Sequence, residues 1–384
     1  MDSRFRGNDK GASSALVLFQ MGDLMNHSHG GHEQEKPHEM DSCCQPKSSV
    51  KKAWYQKPLF LVSAVTAAFY GASFIIPALH PFRHSFQDYA VKMTGPVLLG
   101  FIFGGLIDYY VPQQYISKYL TARRKRTVLY ATGLGFLMSA CSHGILALSM
   151  ELHKKGASTP AVVSFLLASP WANLPITFLL IGFFGWKGLI IIALSLMVAL
   201  TTGLLFQRLD QRNLIEKTRH TVEVDENFSI WRDIQSRARH YRFSASGLKR
   251  DIQGVAKGMA ELADMVLLWV LVGILLASLA GAFIPEGIFE KFFGPSLLGL
   301  LVTLAAATVL EVCSEGTSPL AFEIYKQTGA LGNAFAFLMG GVVTDYTEIA
   351  VVWKNLGRRT ALWMLALTLP QVLLLGWLLN AVIR

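Results

Sequence analysis

Two four-residue motifs combine side chains that can bind metal ions. The first is Cys141-Ser142-His143-Gly144, and the second is Cys313-Ser314-Glu315-Gly316. Thiolate and imidazole groups suit soft and borderline metal ions, and acidic groups can exchange protons when a metal binds. Because Cys141 and His143 face different directions on an intact helix, both reach one ion only where the helix unwinds, which Gly144 permits. The motifs therefore predict a site for a metal ion or metalloid.

A second pair of polar positions interrupts apolar sequence in both parts of the chain. Asn173 lies in the segment SPWANLP, and Asp345 lies in the segment VTDYTE. Glu311 and Glu315 share one helical face because of their spacing, and so do Asp345 and Glu348. Carboxylates within a membrane are costly and usually functional. We expect Asn173 and Asp345 to line the site. We expect proton relay by three carboxylates, those of Glu311, Asp345 and Glu348.

Each of these residues also has a structural alternative. A cysteine in a membrane helix often acts as a small apolar filler, and a buried histidine can serve helix packing. The carboxylates in and before the second motif could instead pair with Lys or Arg. Glu151 and Glu323 lie near segment ends beside Lys154 and Lys326, so we expect them to be interface charges rather than ligands.

Residues 1–57 are expected to form a disordered polar tail. Their opening, MDSRFRGNDKG, resembles a translated repetitive element of bacterial genomes, and Met25 is the expected start. A cluster of imidazole and thiol groups follows, which could capture Zn, Cu or Ni loosely. The alternative is a polar leader whose histidines bind nothing. The residues concerned are His27, His29, His32, His38, Cys43 and Cys44.

The composition indicates a protein embedded in a lipid bilayer. Of 384 residues, 52% are hydrophobic and only 16% are charged, against about 25% charged in soluble domains. The low charged fraction argues against a soluble enzyme. The net charge of +9 does not indicate a nucleic-acid-binding protein, because the basic residues lie in tails and loops. No Walker P-loop and no HExxH motif is present, so the sequence predicts neither an enzyme nor a tightly bound cofactor.

The sequence predicts an all-α polytopic membrane protein with eight or nine apolar segments. Stretches of spanning length, about 20 residues, are expected near 58–79, 88–111, 129–152, 160–184, 188–207, 260–284, 296–325, 331–353 and 361–382. Lysines before the first stretch favour a cytoplasmic N-terminus, and the basic connector 208–258 is expected on the same side.

The chain repeats itself at a nearly constant offset. The two motifs are 172 residues apart, and the same offset relates Asn173 to Asp345 and Gly185 to Gly357. Basic loops occur at non-equivalent places in the two halves, which favours inverted repeats with interrupted helices. Parallel repeats are the alternative. The expected organisation is a first span with the first repeat (58–207), the connector (208–258) and the second repeat (259–384).

The two repeats resemble the ArsP-type predicted permease family. The first copy reads CSHGILALSMELHKKGASTPAVVSFLLASPWANLP, and the second reads CSEGTSPLAFEIYKQTGALGNAFAFLMGGVVTDYTE. The resemblance implies efflux of trivalent organoarsenicals or of metal ions. Many relatives read C-S-C-G in the first copy, where this chain has His143. One thiolate fewer and one imidazole more suits Zn or Cu better than a trivalent arsenical.

These patterns together predict a permease of the bacterial inner membrane that exports a toxic metal ion or metalloid by proton or ion exchange. The expected partners are the lipid bilayer and a small inorganic or organometallic substrate, without nucleic acid and with a homo-oligomer possible. Three alternatives remain open. They are efflux of an organoarsenical or a small thiol solute on the same fold, an intramembrane metalloenzyme, and a sensor that signals through 208–258.

Overall fold

Fourteen α-helices make up the part of the chain that the computed structural model describes, and no β-strand occurs in that part. The described residues are 58–110, 120, 126–135, 142–154, 156–216, 245–310 and 313–383. Among the predicted site residues, Cys141, Glu311 and the histidines and cysteines of the tail lie outside these ranges. Ser142 and His143 are described by their backbone alone.

One apolar helix, α1 (Pro58–Ala72), precedes the first repeat. Six helices then form the described part of that repeat. They are α2 (His80–Tyr110), α3 (Thr127–Leu134), α4 (Ser142–Lys154), α5 (Thr159–Ala172), α6 (Leu174–Phe184) and α7 (Trp186–Gln211).

Seven helices form the described part of the second repeat. They are α8 (Ala245–Phe283), α9 (Glu286–Phe293), α10 (Leu297–Leu310), α11 (Ser314–Thr328), α12 (Leu331–Thr344), α13 (Tyr346–Asn355) and α14 (Arg358–Val382).

Four helical stretches are long and apolar enough to cross a membrane: Pro77–Ile107, Trp186–Gln211, Val266–Phe283 and Arg358–Val382. Three bent helix pairs raise the number to seven if each pair forms one span. The bend is 49° between α5 and α6, 99° between α9 and α10, and 40° between α12 and α13. The prediction of a polytopic all-α protein with broken helices is confirmed.

The observed helices differ from the expected segments in three places. The segment expected at 129–152 contains two helices, α3 and α4, and the segment expected at 296–325 is divided at Cys313. The connector 208–258 was expected to be partly helical around 229–257, and α8 begins within it at Ala245 and runs without a break into the segment expected at 260–284. Hydropathy reports how apolar a stretch is, but it does not report where a Gly or a polar side chain ends the helical hydrogen-bond ladder.

The helices of the two repeats begin at equivalent positions. The starts of α11, α12, α13 and α14 each lie 172 residues after those of α4, α5, α6 and α7. Gly185 and Gly357 precede α7 and α14, and both have positive φ, 59° and 114°, which an L-residue adopts only with strain. The repeats also share their packing, because α5 contacts α7 as α12 contacts α14. The duplication read from the sequence is therefore a duplication of structure.

The equivalent helices α2 and α8 pack against each other in opposite directions. Near the end of α2, the Tyr109 hydroxyl donates a hydrogen bond of 2.9 Å to Asp251, near the start of α8. At the other end, Tyr89 near the start of α2 and Gly281 near the end of α8 both lie against Glu323. The start of one helix therefore meets the end of the other.

The equivalent helices α7 and α14 are also antiparallel. Five residues after α7, the Glu216 carboxylate accepts hydrogen bonds from the backbone N–H groups of Arg359 (2.9 Å) and Thr360 (3.0 Å), at the start of α14. Between these helices, the Gln371 side chain bonds the hydroxyls of Thr201 and Thr202. Since two pairs of equivalent helices run in opposite directions, the repeats are inverted, as the charge pattern predicts.

Helices α5 and α12 lie at the centre of the bundle and contact each other. Every residue of α5 is buried, and so is every residue of α12 before Thr344. Helices α2, α7 and α14 instead expose large apolar side chains, including Leu98, Leu189 and Leu374. Exposed apolar surface of this kind fits contact with lipid, and it leaves the central pair to build the site.

Candidate functional site

Four of the predicted site residues meet at the start of α11. Glu315 lies in the first turn of this helix with only 2% of its surface exposed. Its carboxylate accepts a hydrogen bond of 3.0 Å from the Ser314 hydroxyl, and the side chains of Cys313 and Asn173 lie within hydrogen-bonding reach of it. Asn173, Cys313, Ser314 and Glu315 are called the inter-repeat cluster below, because Asn173 belongs to the first repeat and the others to the second.

The break between α5 and α6 positions Asn173. Pro175 follows in the first turn of α6, where its missing N–H leaves no hydrogen bond unmade. The Asn173 side-chain oxygen caps α6 by accepting a bond of 2.8 Å from the Ile176 N–H. The amide nitrogen of Asn173 is then the group that can donate to Glu315. Asn173 therefore binds a free backbone N–H at the helix break and can also donate to the Glu315 carboxylate.

Two glycines let the long helices approach these breaks closely. A Cβ at Gly100 of α2 would lie 2.7 Å from the Cα of Pro175, and a Cβ at Gly273 of α8 would collide with the Gly316 carbonyl. Gly100 and Gly273 occupy equivalent positions in the repeat. Helix α2 thus contacts the start of α6, and its antiparallel partner α8 contacts the start of α11.

Asp345 caps a helix in the same way as Asn173. Its carboxylate accepts hydrogen bonds from the N–H groups of Thr347 (2.7 Å) and Glu348 (3.0 Å), and from the Thr347 hydroxyl. Glu348 is buried in the first turn of α13. Helix α13 contacts α4, just as α6 contacts α11. Asp345 and Glu348 therefore lie beside the helix that begins with Ser142 and His143.

The described residues contain no group of three His, Cys, Asp or Glu side chains placed to hold a metal ion. Cys313 and Glu315 supply two such side chains. The proposed roles of Cys141 and Glu311 fall outside the described residues, as do those of His27, His29, His32, His38, Cys43 and Cys44. The side-chain positions of Ser142 and His143 are likewise not described.

Glu323 is a further buried acidic group, which the sequence did not single out as a site residue. Only 1% of its side chain is exposed, so the expectation of an interface charge is wrong for Glu323, while Glu151 at the equivalent position is exposed. The Tyr89 hydroxyl and the Gln327 amide (2.6 Å) donate to its carboxylate. Tyr89 is 234 residues away in the chain. The one signal in the sequence was a Glu in an apolar stretch.

Comparison of the sequence with known proteins finds relatives that are described as membrane permeases. No solved structure matches the chain. UPF0718 protein YcgR of Bacillus subtilis is 23% identical over 270 residues, which are 68% of this chain and 84% of that protein. A proposed two-component membrane permease complex subunit of Streptococcus mutans is 24% identical over 270 residues, 67% of this chain and 81% of its own.

A third relative is the proposed permease Rv2963 of Mycobacterium tuberculosis. It is 25% identical over 274 residues, which are 67% of this chain and 66% of the relative. The family profile described as ArsP_1, predicted permease, matches residues 78–381, a range that includes both repeats and the inter-repeat cluster. The chain therefore belongs to the ArsP_1 family of predicted permeases.

Proposed function

We propose that this multi-pass membrane permease exports a soft or borderline metal ion, or a metalloid, and binds it at the inter-repeat cluster. One observation carries the proposal: a thiol, a carboxylate and an amide from both repeats meet at helix breaks inside an apolar bundle. A buried Cys–Glu pair at such a break is costly to a membrane protein unless a ligand uses it. The localisation proposed with it is the bacterial inner membrane, with a cytoplasmic N-terminus.

The chemistry of the cluster suits a cation that prefers sulfur. A metal ion binds the Cys313 thiolate, so binding releases the thiol proton. Glu315 supplies an oxygen ligand and a negative charge, and Ser314 and Asn173 orient its carboxylate through their hydrogen bonds. The export step is proposed to exchange the cargo for protons, with Glu311, Asp345 and Glu348 as the relays.

The first repeat is proposed to complete the ligand set. The internal symmetry relates His143 to Glu315 and Asp345 to Asn173, and α4 contacts α13 as α11 contacts α6. His143 and Cys141 would thus add an imidazole and a second thiolate near the same central helices. The histidines and cysteines of the tail are proposed to capture metal before it reaches this site.

A trivalent organoarsenical is the second candidate cargo, because Cys141 and Cys313 occupy equivalent places in the two motifs. Two thiolates favour such a cargo, whereas the imidazole of His143 favours zinc or copper. The two candidates differ in their dependence on His143. A His143→Cys substitution should improve transport of an arsenical and weaken transport of Zn²⁺.

Transport by purified protein in proteoliposomes tests the proposal directly. Uptake of Zn²⁺, Cu⁺ and a trivalent methylated arsenical is measured for the wild type and for Cys313→Ser, Cys141→Ser and Glu315→Gln. We expect each substitution to abolish transport of the cargo while the protein remains folded. The control is Cys43→Ser with Cys44→Ser, which removes two thiols of the tail and should leave transport at saturating cargo unchanged. Full transport by the Cys141→Ser, Cys313→Ser double variant would refute the role of the thiols.

A further inference from the structure

The contacts of Glu323 place it at one particular end of the bundle. It lies beside Tyr89, near the start of α2, and beside Gly281, near the end of α8. Two residues further along α11, the Tyr325 hydroxyl accepts a hydrogen bond of 2.7 Å from Lys187, the second residue of α7. The connector leaves from the opposite ends of α7 and α8. Glu323 therefore lies toward the side of the membrane away from the connector.

The ion-pair partner of Glu323 lies at the surface of the bundle. The Lys326 ammonium lies 3.8 Å from the carboxylate, and 41% of the Lys326 side chain is exposed. Elsewhere the carboxylate is enclosed, because a Cβ at Gly281 would lie 2.5 Å from its Oε1. Other charged side chains of the described residues in this region are Asp88 and Lys92 of α2, which pair with each other at 2.8 Å, and Lys187 of α7, which bonds Tyr325. Glu323 is thus a buried acid whose ion-pair partner is partly exposed.

Helix α11 links this acid to the cargo site. Glu315 and Glu323 are eight residues apart, which is about 12 Å along a helix and leaves them near one face. The hydrogen bond between Tyr89 and Glu323 ties α11 to α2, a helix of the other repeat. A change at Glu323 therefore alters the contact that holds one end of the helix whose other end carries Cys313 and Glu315.

We propose that Glu323, with Tyr89 as its hydrogen-bond donor, is the proton-binding site that couples transport to a proton gradient. The inference rests on the proposed export function. The carboxylate takes up one proton from the side away from the connector and becomes neutral. It then loses its ion pair with Lys326 and holds Tyr89 less tightly, because a neutral acceptor bonds more weakly than an ionised one. The proton leaves to the other side when the carboxylate forms again.

Infrared difference spectroscopy between two pH values tests proton binding without any cargo. We expect purified full-length protein to show a protonated-carboxyl band that is lost in Glu323→Gln and kept in Glu151→Gln, the exposed equivalent. Tyr89→Phe removes only a hydroxyl, and it should shift the pH midpoint of the band. An unchanged band in Glu323→Gln, or an unshifted midpoint in Tyr89→Phe, overturns the proposal.

Proteoliposomes loaded with Zn²⁺ test the coupling. Glu323→Gln should lose the stimulation by a pH gradient but keep exchange of Zn²⁺ at equal pH, because the cargo site is intact. Stimulation equal to that of the wild type would overturn the proposal. If the wild type moves no Zn²⁺, the cargo proposal fails for zinc, and the infrared result alone decides whether Glu323 binds the proton.

Discussion

Asn173 and Asp345 show that one polar residue can serve both the backbone and the site. Each lies where a buried helix breaks, and each caps the helix that follows. Free N–H groups inside a bilayer must be satisfied within the protein. The caps therefore stabilise the helix breaks. Because the side-chain oxygen of Asn173 is used in its cap, only the amide nitrogen remains to donate to Glu315.

Substitutions of Asn173 should separate its two roles. Asn173→Ser keeps a capping oxygen but loses the amide donor, whereas Asn173→Ala loses both, and a lost cap costs about 1 kcal/mol. We expect the melting temperature in detergent to fall clearly in the alanine variant and little in the serine variant. Zn²⁺ affinity should fall in both. Equal melting temperatures for the two variants would show that the cap is not needed. Asp345→Asn keeps a capping oxygen, so it should leave the melting temperature nearly unchanged.

Glu216 is a residue whose charge stabilises a helix start. Although partial burial raises the pKa of Glu216, hydrogen bonds from the Arg359, Glu216 and Thr360 N–H groups and the Thr360 hydroxyl hold it below its ordinary 4.5. A carboxyl with a lowered pKa adds stability above its unfolded pKa and loses it as the pH falls through the folded pKa. This stabilisation is thus complete at neutral pH and disappears in acid.

Glu216→Ala should lower the melting temperature at pH 7, by the equivalent of about 1 kcal/mol for a lost cap. The difference from wild type should shrink as the pH is lowered below 4.5. Asp210→Ala removes a carboxylate that makes no side-chain hydrogen bond within the described ranges, and it should have little effect at either pH. A difference that stays constant with pH would contradict the ionised cap.

At the scale of helices, small residues set how closely the central elements pack. The backbones of Gly332 in α12 and Gly376 in α14 touch, so a Cβ at Gly332 would collide with the Gly376 carbonyl. Asn380 reinforces the crossing by accepting from the Gly332 N–H and donating to the Asn333 side chain, both at 2.7 Å. Small residues at membrane helix crossings permit such contacts.

Gly332→Ala and Gly341→Ala form a matched pair on α12. A Cβ at Gly341 would meet only the Thr317 Cγ2, at 3.9 Å, and Ala favours a helix over Gly by up to about 1 kcal/mol. We expect Gly341→Ala to keep or raise the melting temperature and Gly332→Ala to lower it. Similar melting temperatures in the two variants would mean that the close crossing does not limit stability.

The sequence predicted what is local or repeated. Apolar length predicted the helices, and the fixed offset predicted equivalent breaks at Asn173 and Asp345, because each is encoded within a few residues. The bond from Tyr89 to Glu323 and the cap from Glu216 to α14 join residues 234 and 144 positions apart. No pattern in a single sequence reports such pairs. The meeting of Asn173 with Glu315 was expected only from the symmetry of the repeat.

At the scale of the whole molecule, the antiparallel pairs fix which helix ends share a side. The ends of α2 and α7 lie with the starts of α8 and α14, through the contacts of Tyr109 and Glu216. The start of α2, the end of α8 and Glu323 lie on the other side. The positive-inside rule predicts that the first group lies in the cytoplasm with the basic connector.

Labelling with a membrane-impermeant maleimide should show this arrangement. We expect Asn213→Cys, just after α7, to react only from the cytoplasmic side, and Gly287→Cys, just after α8, only from outside. A tag after Arg384 should also lie outside, because α14 starts beside Glu216. Reaction of Asn213→Cys from the same side as a tag after Arg384 would contradict antiparallel packing of α7 and α14 across the membrane.

The two inverted repeats share their helix arrangement but carry different side chains at equivalent positions. If the two repeats exchange their shapes, an entrance on one face of the bilayer becomes an entrance on the other. Identical repeats would offer the cargo the same affinity from both faces. Here His143 and Glu315 occupy equivalent sequence positions with different side chains, and the exposed Glu151 is the equivalent of the enclosed Glu323. Under the proposed export function, this inequality gives the cargo a different affinity at each face of the membrane.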